Sequence, residues 1–588
     1  MIEKFSLSTI DFGIMILYGV LIVAYGIYHA KRKNAQEYFL AGRDMIWPIV
    51  GISLFAANIS SSTLVGLAGA AFKTDTHVFN YEWLASVVLV FFAIFFLPFY
   101  LRSKVYTMPE FLERRFNASS RYFFSALTII GNVLIDTAAS LYIGSIVMQL
   151  IFPDISPSII IIILALAAAA YTIPGGLNSV IQTEVIQAIL LVCGSILLTY
   201  FAFDKVGGWS GMIAGLDQMG AAGKLTTPGT DIQLKNADEV LSMVRSTGDG
   251  WKNFIMGTGG DTFMPWTGLV FGAPILGFYF WANNQFMVQR VLGAKSIDHG
   301  RWGALFAGLL KLPVLFFMVL PGTVAILLYS GMDISAINYK LPDGSICQNL
   351  GQCSDATYPV LLFDLLPTGI LGLVLAGLLA AMMSSISATF NSASTLITMD
   401  FVNKMKPDMS SKDLVRAGQI ATIILVVLAS IWATQIGKFG GVFEYLQKIL
   451  SFICPPVAAA FVVGMFWKRA NGTGALTSLV FGFCSAILLL MASIFKANGS
   501  TAGWVELFTT IHFLHMAFFL FVACALILII VSLMTAPPPQ EKLDGFTYNK
   551  GIFNAETVEL EGVVWYKNYR YQSIALLIIT AILVGFFW

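Results

Sequence analysis

Four polar side chains set in otherwise apolar stretches could do chemistry: Asn58 in SLFAANISSST, Glu82 in FNYEWLAS, Lys311 in LLKLPVLF and Gln447 in FEYLQKIL. Each brings a charge or an amide that needs a partner at such depth. Buried without such a partner, each unpaired group costs about 1–3 kcal/mol. Charges at membrane depth cost at least about 2.5–3.5 kcal/mol, so Glu82 and Lys311 are expected to face a cavity, a partner or a permeating solute. Snorkelling to the interface is the alternative for Glu82, which lies near a boundary of its apolar run. A glutamine such as Gln447 also serves as glue between helices.

A second constellation is AAMMSSISATFNSAS, residues 381–394, which sets Ser384, Ser385 and Ser387 in a hydrophobic helix. Serine commonly bonds back to its own helix, and for any one of these that reading stands beside the functional one. Clustered, they suggest a site for a hard cation such as sodium, which prefers oxygen ligands. Inside a membrane, free oxygens come from hydroxyls and from the carbonyls of unwound helices. Residues 56–60, small and polar where Leu, Val and Phe belong, are expected to be such an unwound stretch.

The elements that must position these residues follow from composition. The chain has 588 residues, 57% hydrophobic and 11% charged, with a formal charge of +1 and a mean hydropathy of +0.79. Soluble proteins average about 25% charged residues, so this is an integral membrane protein. The balanced charge leaves no basic field for nucleic acid, and neither a phosphate-cradling glycine motif nor a metal-spaced His/Cys cluster is present. The N-terminus lacks a basic n-region and a small-residue cleavage site, so the first apolar run is expected to be a retained span.

Runs of span length fall near 9–29, 46–72, 78–101, 120–151, 157–173, 179–203, 266–288, 303–330, 364–388, 415–434, 441–466, 473–494, 509–535 and 571–588, fourteen in all. Most of the 34 Lys and Arg then lie on one side, which the positive-inside rule makes cytoplasmic, with both termini outside. On the outer, oxidising face, Cys347 and Cys353 could close a small disulfide loop, with two free thiols as the alternative. Cys193, Cys454, Cys484 and Cys524 sit in apolar runs and are expected to be inert packing.

The stretches AANIS, YEW, MPEFLERRF, YTIPGGL, FYFWANNQFMVQR, SATFNSASTLITMD and FWKR, in this order, resemble the sodium/solute symporter family, most closely its sodium/glucose cotransporter branch. The similarity runs from about residue 10 to about residue 535. It implies an all-α integral membrane protein of the leucine-transporter type with an inverted 5+5 helix repeat and flanking helices. The division expected is 1–45 for the first flanking span and linker, 46–203 for the first repeat, 204–265 for an outer loop, 266–466 for the second repeat with its outer loop 331–363, and 467–588 for three further spans. Each repeat opens with an interrupted helix, the second at Gly272, Pro274 and Gly277.

The resemblance also implies residue roles. Sodium would be held by carbonyls of Ala56, Ile59 and Ala381 and hydroxyls of Ser384 and Ser385, with Ser387 and Glu184 marking a second sodium site or an exit route. Two sodium ions are preferred to one. The solute would meet Asn58, Thr63, Glu82, Lys311, Gln447 and Trp281, gated by Leu67 and Phe443 outside and Phe280 inside. The chain departs from the family's sugar members at Thr63, at Gly277 and at Phe280, where a tyrosine has lost its hydroxyl, and Glu184 replaces an aspartate.

The function expected is a sodium-coupled secondary active symporter, not an enzyme, importing a monosaccharide (a hexose such as glucose or galactose) by alternating access. Uptake of a polyol such as inositol or of a non-sugar solute, a transporter-like sensor, and a passive uniporter are the alternatives. The partners expected are the solute and the lipid bilayer, with no obligate protein partner. The short loops suggest a plasma-membrane location in a bacterial inner membrane.

Overall fold

Apolar runs of this length can satisfy their backbone in lipid only as helices or closed barrels. In the computed structural model every regular element among the described residues is helical. Those are residues 5–588 apart from 6, 31–33, 153–154, 226–232, 245–247, 259–263, 338–344, 435–441 and 498, and apart from the side chains at 61–62, 74–75, 134, 442–446 and 497.

The helices that build the site are α1 (Thr9–Tyr28), α2 (Trp47–Asn58), α3 (Ser61–Thr74), α4 (Asn80–Phe95), α5 (Met108–Arg115), α6 (Ala118–Gly131) and α7 (Ala138–Ile151). They are followed by α8 (Pro157–Val206), α9 (Trp266–Phe271), α10 (Ala273–Phe278), α11 (Gln285–Leu292) and α12 (Ile297–Lys311). The remainder are α13 (Leu320–Tyr329), α14 (Ile370–Leu396), α15 (Ser411–Ala433), α16 (Val442–Phe466), α17 (Gly472–Ala497), α18 (Phe513–Met534) and α19 (Tyr569–Phe586).

Among the described residues ten helices are long and apolar enough to cross a membrane, or up to twelve when two bent pairs each count as one span. The expected fourteen and this count part at two places. Helix α8 runs 50 residues; straight, it would reach ~75 Å, more than twice a hydrocarbon core of about 30 Å. It bends at Gly176 (φ 57°, ψ −150°), two residues after Pro174, which yields the two limbs read from the sequence as separate spans. A Cβ at Gly176 would also lie 2.3 Å from the Tyr38 carbonyl oxygen, so YTIPGGL is a turn that only glycine can close. The second place is 266–292, cut into α9, α10, a π turn over Tyr279–Asn283 and α11, each too short to span alone.

The interruption in that region is not where the sequence suggested. Gly272 keeps helical angles and Gly277 lies inside α10; the chain leaves the helix at Asn284 (φ −70°, ψ 125°), whose side chain caps α11. Gly272 is small for another reason. A Cβ there would meet the Leu514 carbonyl oxygen of α18 at 2.1 Å. The stretch 204–265 likewise is more than loop, since it forms helices over Gly208–Ala221, Ala237–Leu241 and Trp251–Met256.

Helix α14 is buried along almost its whole length, and Asp11 of α1 caps its start by accepting from Gly369 N and Gly372 N at 2.7 Å each. Outer helices such as α1 and α19 instead show Leu17, Val20, Leu21, Ile578 and Ile582 to the surroundings, the apolar face that lipid covers. On the cytoplasmic side as read from charge, Arg115 donates to the carbonyls of Gly464, Trp467 and Ala470, closing the end of α16. Asp400 accepts from Thr107, Arg121 and Ser125. Part of MPEFLERRF, FWKR and STLITMD is therefore scaffold.

Candidate functional site

Helix α2 ends at Asn58, Ile59 is extended (φ −86°, ψ 93°), and the axis turns by 58° into α3. The hydrogen bonds show what the break releases. Ser60 N–H turns back onto the Asn58 carbonyl, so it does not reach Ala56. Thr63 N–H goes to Ser60 Oγ, so it does not reach Ile59. The carbonyls of Ala56 and Ile59 thus lose the amide four residues on that an intact helix would supply to each.

Opposite the break lies α14. Ser384 Oγ and Ser385 Oγ are buried and have no partner among the described residues, and neither bonds back to its own helix; Thr389 does so, to the Ser385 and Ile386 carbonyls. Phe55, Ala56, Ile59, Ala381 and Ser384 line a void of about 10 Å³ together with Gln187, Ala188 and Leu191 of α8. That is room for about one water-sized particle. Four of the five expected sodium residues therefore meet around one void, with Ser385 one position on. Gln187, buried on this wall, was not anticipated; a lone glutamine in an apolar run was its sequence signal.

Beside this void is a cavity of about 180 Å³ lined by all six residues expected to meet the solute: Asn58, Thr63, Glu82, Trp281, Lys311 and Gln447. Ser385 lines it too, so adjacent serines face the two spaces. Glu82 sits in the first turn of α4 and Lys311 in the last turn of α12, the ends where helix dipoles favour a negative and a positive charge respectively. Lys311 Nζ donates to Glu82 Oε2, with the side chains 1% and 8% exposed. Glycines let the backbones approach: Ser86 Oγ of α4 donates to the Gly308 carbonyl at 2.8 Å, and a Cβ at Gly303 would strike Val50 of α2 at 2.7 Å. The ammonium also lies 5.9 Å from the ring centroids of Phe55 and Trp281, within cation–π range.

The other expected residues are distributed unevenly. Phe280 lines the cavity, its ring edge-on to Trp281 at 5.3 Å. Leu67 is buried in the apolar core and does not line this cavity. The Phe443 side chain lies outside the described residues. Thr63 Oγ1 donates to the Asn58 carbonyl at 3.0 Å, so its hydroxyl closes the helix break. Asn58 Oδ1 is buried without a partner. Ser387 donates to Tyr171 Oη at 2.6 Å, while Glu184 pairs with Arg290 of α11 and accepts from Ser53; each is engaged with a different neighbour. Cys347 and Cys353 are disulfide-bonded.

The sequence reading missed Asp136, Ser140, Tyr279 and Thr389, which also line the cavity. Cys454, expected to be inert packing, is on that wall as well, and Cys193 and Cys484 are exposed. Asp136 was the most legible of these, a lone carboxylate in the apolar run NVLIDTAAS.

Residues 38–482 match the sequence pattern of the sodium:solute symporter family. Sodium/glucose cotransporter 4 of Danio rerio is 34% identical over 95% of this chain and 84% of its own. Sodium/glucose cotransporter 1 of Oryctolagus cuniculus is 32% identical over 94% and 83%, and sodium/myo-inositol cotransporter 2 of the same species 34% identical over 92% and 79%. Among solved structures, a sodium-coupled sialic acid symporter in a substrate-bound outward-open state aligns with a TM-score of 0.72 at 23% identity, covering 91% of this chain and 99% of the other. The likeness is one of fold, and the fold is the leucine-transporter type. These relatives are vertebrate sequences and lend no support to a bacterial inner membrane; a multi-pass membrane location stands.

Proposed function

The chain belongs to the sodium:solute symporter family, and from that premise we propose that it imports a hexose together with sodium by alternating access. One observation carries the reading: the break at Ile59 frees the Ala56 and Ile59 carbonyls on one side and presents Asn58 to the solute cavity on the other. The same few residues therefore serve ion and solute.

Sodium would be held by the Ala56, Ile59 and Ala381 carbonyls and the Ser384 and Ser385 hydroxyls, oxygen donors suited to a hard cation. Ala381 keeps its intrahelical role and offers its second lone pair. The hexose would be addressed by Asn58, Glu82, Lys311 and Gln447, with Trp281 and Phe280 as the aromatic floor and Leu67 and Phe443 as the outer gate. A cation that ties the break in α2 to α14 favours the outward-open state, and coupling requires this difference in affinity between states. A potential of 100 mV contributes about 2.3 kcal/mol per charge and a tenfold sodium gradient about 1.4 kcal/mol, so one ion supports roughly a 500-fold gradient of neutral sugar. Two ions would square it. Two remain the preferred number on the strength of the Ser387 hydroxyl, although Ser387 and Glu184 are held by other partners in this conformation.

Purified protein in liposomes should accumulate labelled glucose or galactose only with an inward sodium gradient, and the uptake should collapse when the gradient is dissipated. Sodium-independent equilibration would refute the proposal. A polyol such as inositol is the second reading, favoured by the 34% identity to a sodium/myo-inositol cotransporter. A competition panel decides between them.

A further inference from the structure

The cavity wall carries one more carboxyl than it pairs. Of the described residues lining it, Lys311 is the sole cation, and Lys311 is already paired with Glu82. Asp136 remains. It lies in the π turn over Asn132–Thr137 that joins α6 to α7, and it lines the cavity together with Tyr279 and Cys454. Its backbone carbonyl accepts from Ser140 Oγ at 2.9 Å, but its carboxylate has no hydrogen bond and no ion pair among the described residues. Three buried carboxylates in this protein are matched: Glu184 by Arg290 and Ser53, Asp400 by Arg121, Thr107 and Ser125, and Glu556 by Arg301. Asp136 is unmatched at the place where a solute enters.

We propose that Asp136 is a specificity-determining residue that sets the charge preference of the cavity, admitting neutral and amine-bearing sugars and rejecting anionic ones such as uronates. The inference rests on the hexose-symport reading and deepens it. The π turn is what aims the residue, since its extra residue per turn shifts the side chains that follow around the helix. An anionic group on a solute in this cavity of about 180 Å³ shares it with the Asp136 carboxylate, at a separation taken as about 8 Å. At an effective dielectric of about 20, two like unit charges at that distance repel enough to change affinity on the order of 30-fold. Lys311 offers no offsetting gain unless its bond to Glu82 is broken, and that would strand Glu82 without a cation.

The test uses two near-isosteric competitors, glucuronate and glucuronamide, against sodium-driven glucose uptake by the full chain in liposomes. In the wild type, assayed at about pH 8.5, glucuronate should inhibit about 30-fold more weakly than glucuronamide. Asp136→Asn should bring that ratio to within about threefold of one, and Asp136→Glu, which keeps the charge, should preserve it. Because the readout is a ratio between isosteres, a general loss of affinity or of transport rate does not move it. The same ratio, read in sodium as protection of detergent-purified protein from heat, serves if a variant does not transport. A wild-type ratio near one overturns the proposal, as does discrimination that survives in Asp136→Asn, or a failure of both isosteres to protect any of the three proteins. Absence of sodium-driven uptake of any hexose, with the isostere ratio intact in the binding assay, would instead count against the symport reading.

Discussion

The void beneath Ile59 and the cavity beside it share a wall and differ in what they leave unpaired. The void is lined by residues that bring neutral oxygens: the Ala56 and Ile59 carbonyls, released from their helical amides, and the Ser384 hydroxyl. The cavity holds ionised groups, and its strongest pair, Glu82 with Lys311, is already made. An ion entering the void brings the charge that the site lacks and displaces nothing. A sugar entering the cavity must compete with a buried ion pair or join it through hydroxyls. The first space therefore rewards a bare cation, and the second rewards a solute with many weak donors and acceptors. Under the proposed function, the two spaces, joined through residues 56–60, would couple ion to solute.

The sharpest way to break this comparison is to unmake the pair. Lys311→Ala strands the Glu82 carboxylate, a change that costs about 3–5 kcal/mol in buried sites, so sodium-driven uptake at low hexose concentration should fall at least about 100-fold. Adding Glu82→Gln to that variant should recover protein yield without recovering uptake. A single variant that retains more than a tenth of wild-type uptake would mean that the pair is peripheral to the solute.

Ser384→Ala probes the other side and is expected to be smaller, because a neutral ligand is worth about 1–2 kcal/mol. Sodium for half-maximal uptake should rise about tenfold, and sugar affinity at saturating sodium should move much less. The reverse pattern would exchange the roles of the two spaces.

Gln447→Ala removes one amide from the cavity and should raise the KM for hexose about fivefold, near 1 kcal/mol, while the sodium requirement stays within about twofold. Equal shifts in both would show that Gln447 acts through the helix rather than on the solute.

The smallest effect is expected away from both spaces. At the cytoplasmic end of the bundle, burial pushes the Glu113 carboxyl up, but hydrogen bonds from Arg121 and Lys404 outweigh it and hold the group below its ordinary range. A carboxyl lowered in the folded state contributes stability above its unfolded pKa of about 4.3, and that stability is lost as pH falls through the folded value. Thermal melts of the purified protein should show this loss below about pH 4, and Glu113→Gln should remove less than about 1 kcal/mol of it. A variant that leaves the acid limb unchanged would show that the ion pair carries no stability.

Several of these features were legible in the sequence because membrane burial is severe on local pattern. A polar, small-residue run inside a span has few explanations, so residues 56–60 announced the break, and the two serines after Met383 announced their partner. Glu82 and Lys311 were each conspicuous. Their pairing was not, since 229 positions separate them and nothing local relates the start of α4 to the end of α12. Asp136 went unread although it is a charge in an apolar run. The π turn that aims it is a matter of one hydrogen-bond register, which amino-acid type does not specify. In the stretch 266–292 the visible glycines suggested an interruption that packing assigned elsewhere: Gly272 makes room for α18, and the helix stops at Asn284.

By itself the sequence determined the solvent in which this protein lives, the length of its helices, the place where one of them comes apart and the inventory of oxygens available to an ion. Those are properties of single segments, governed by transfer energies and backbone hydrogen bonds that act within a few residues. Only the tertiary structure decided which charges cancel and which one stands alone on the cavity wall, because electrostatic pairing acts between groups close in space, whatever their distance along the chain.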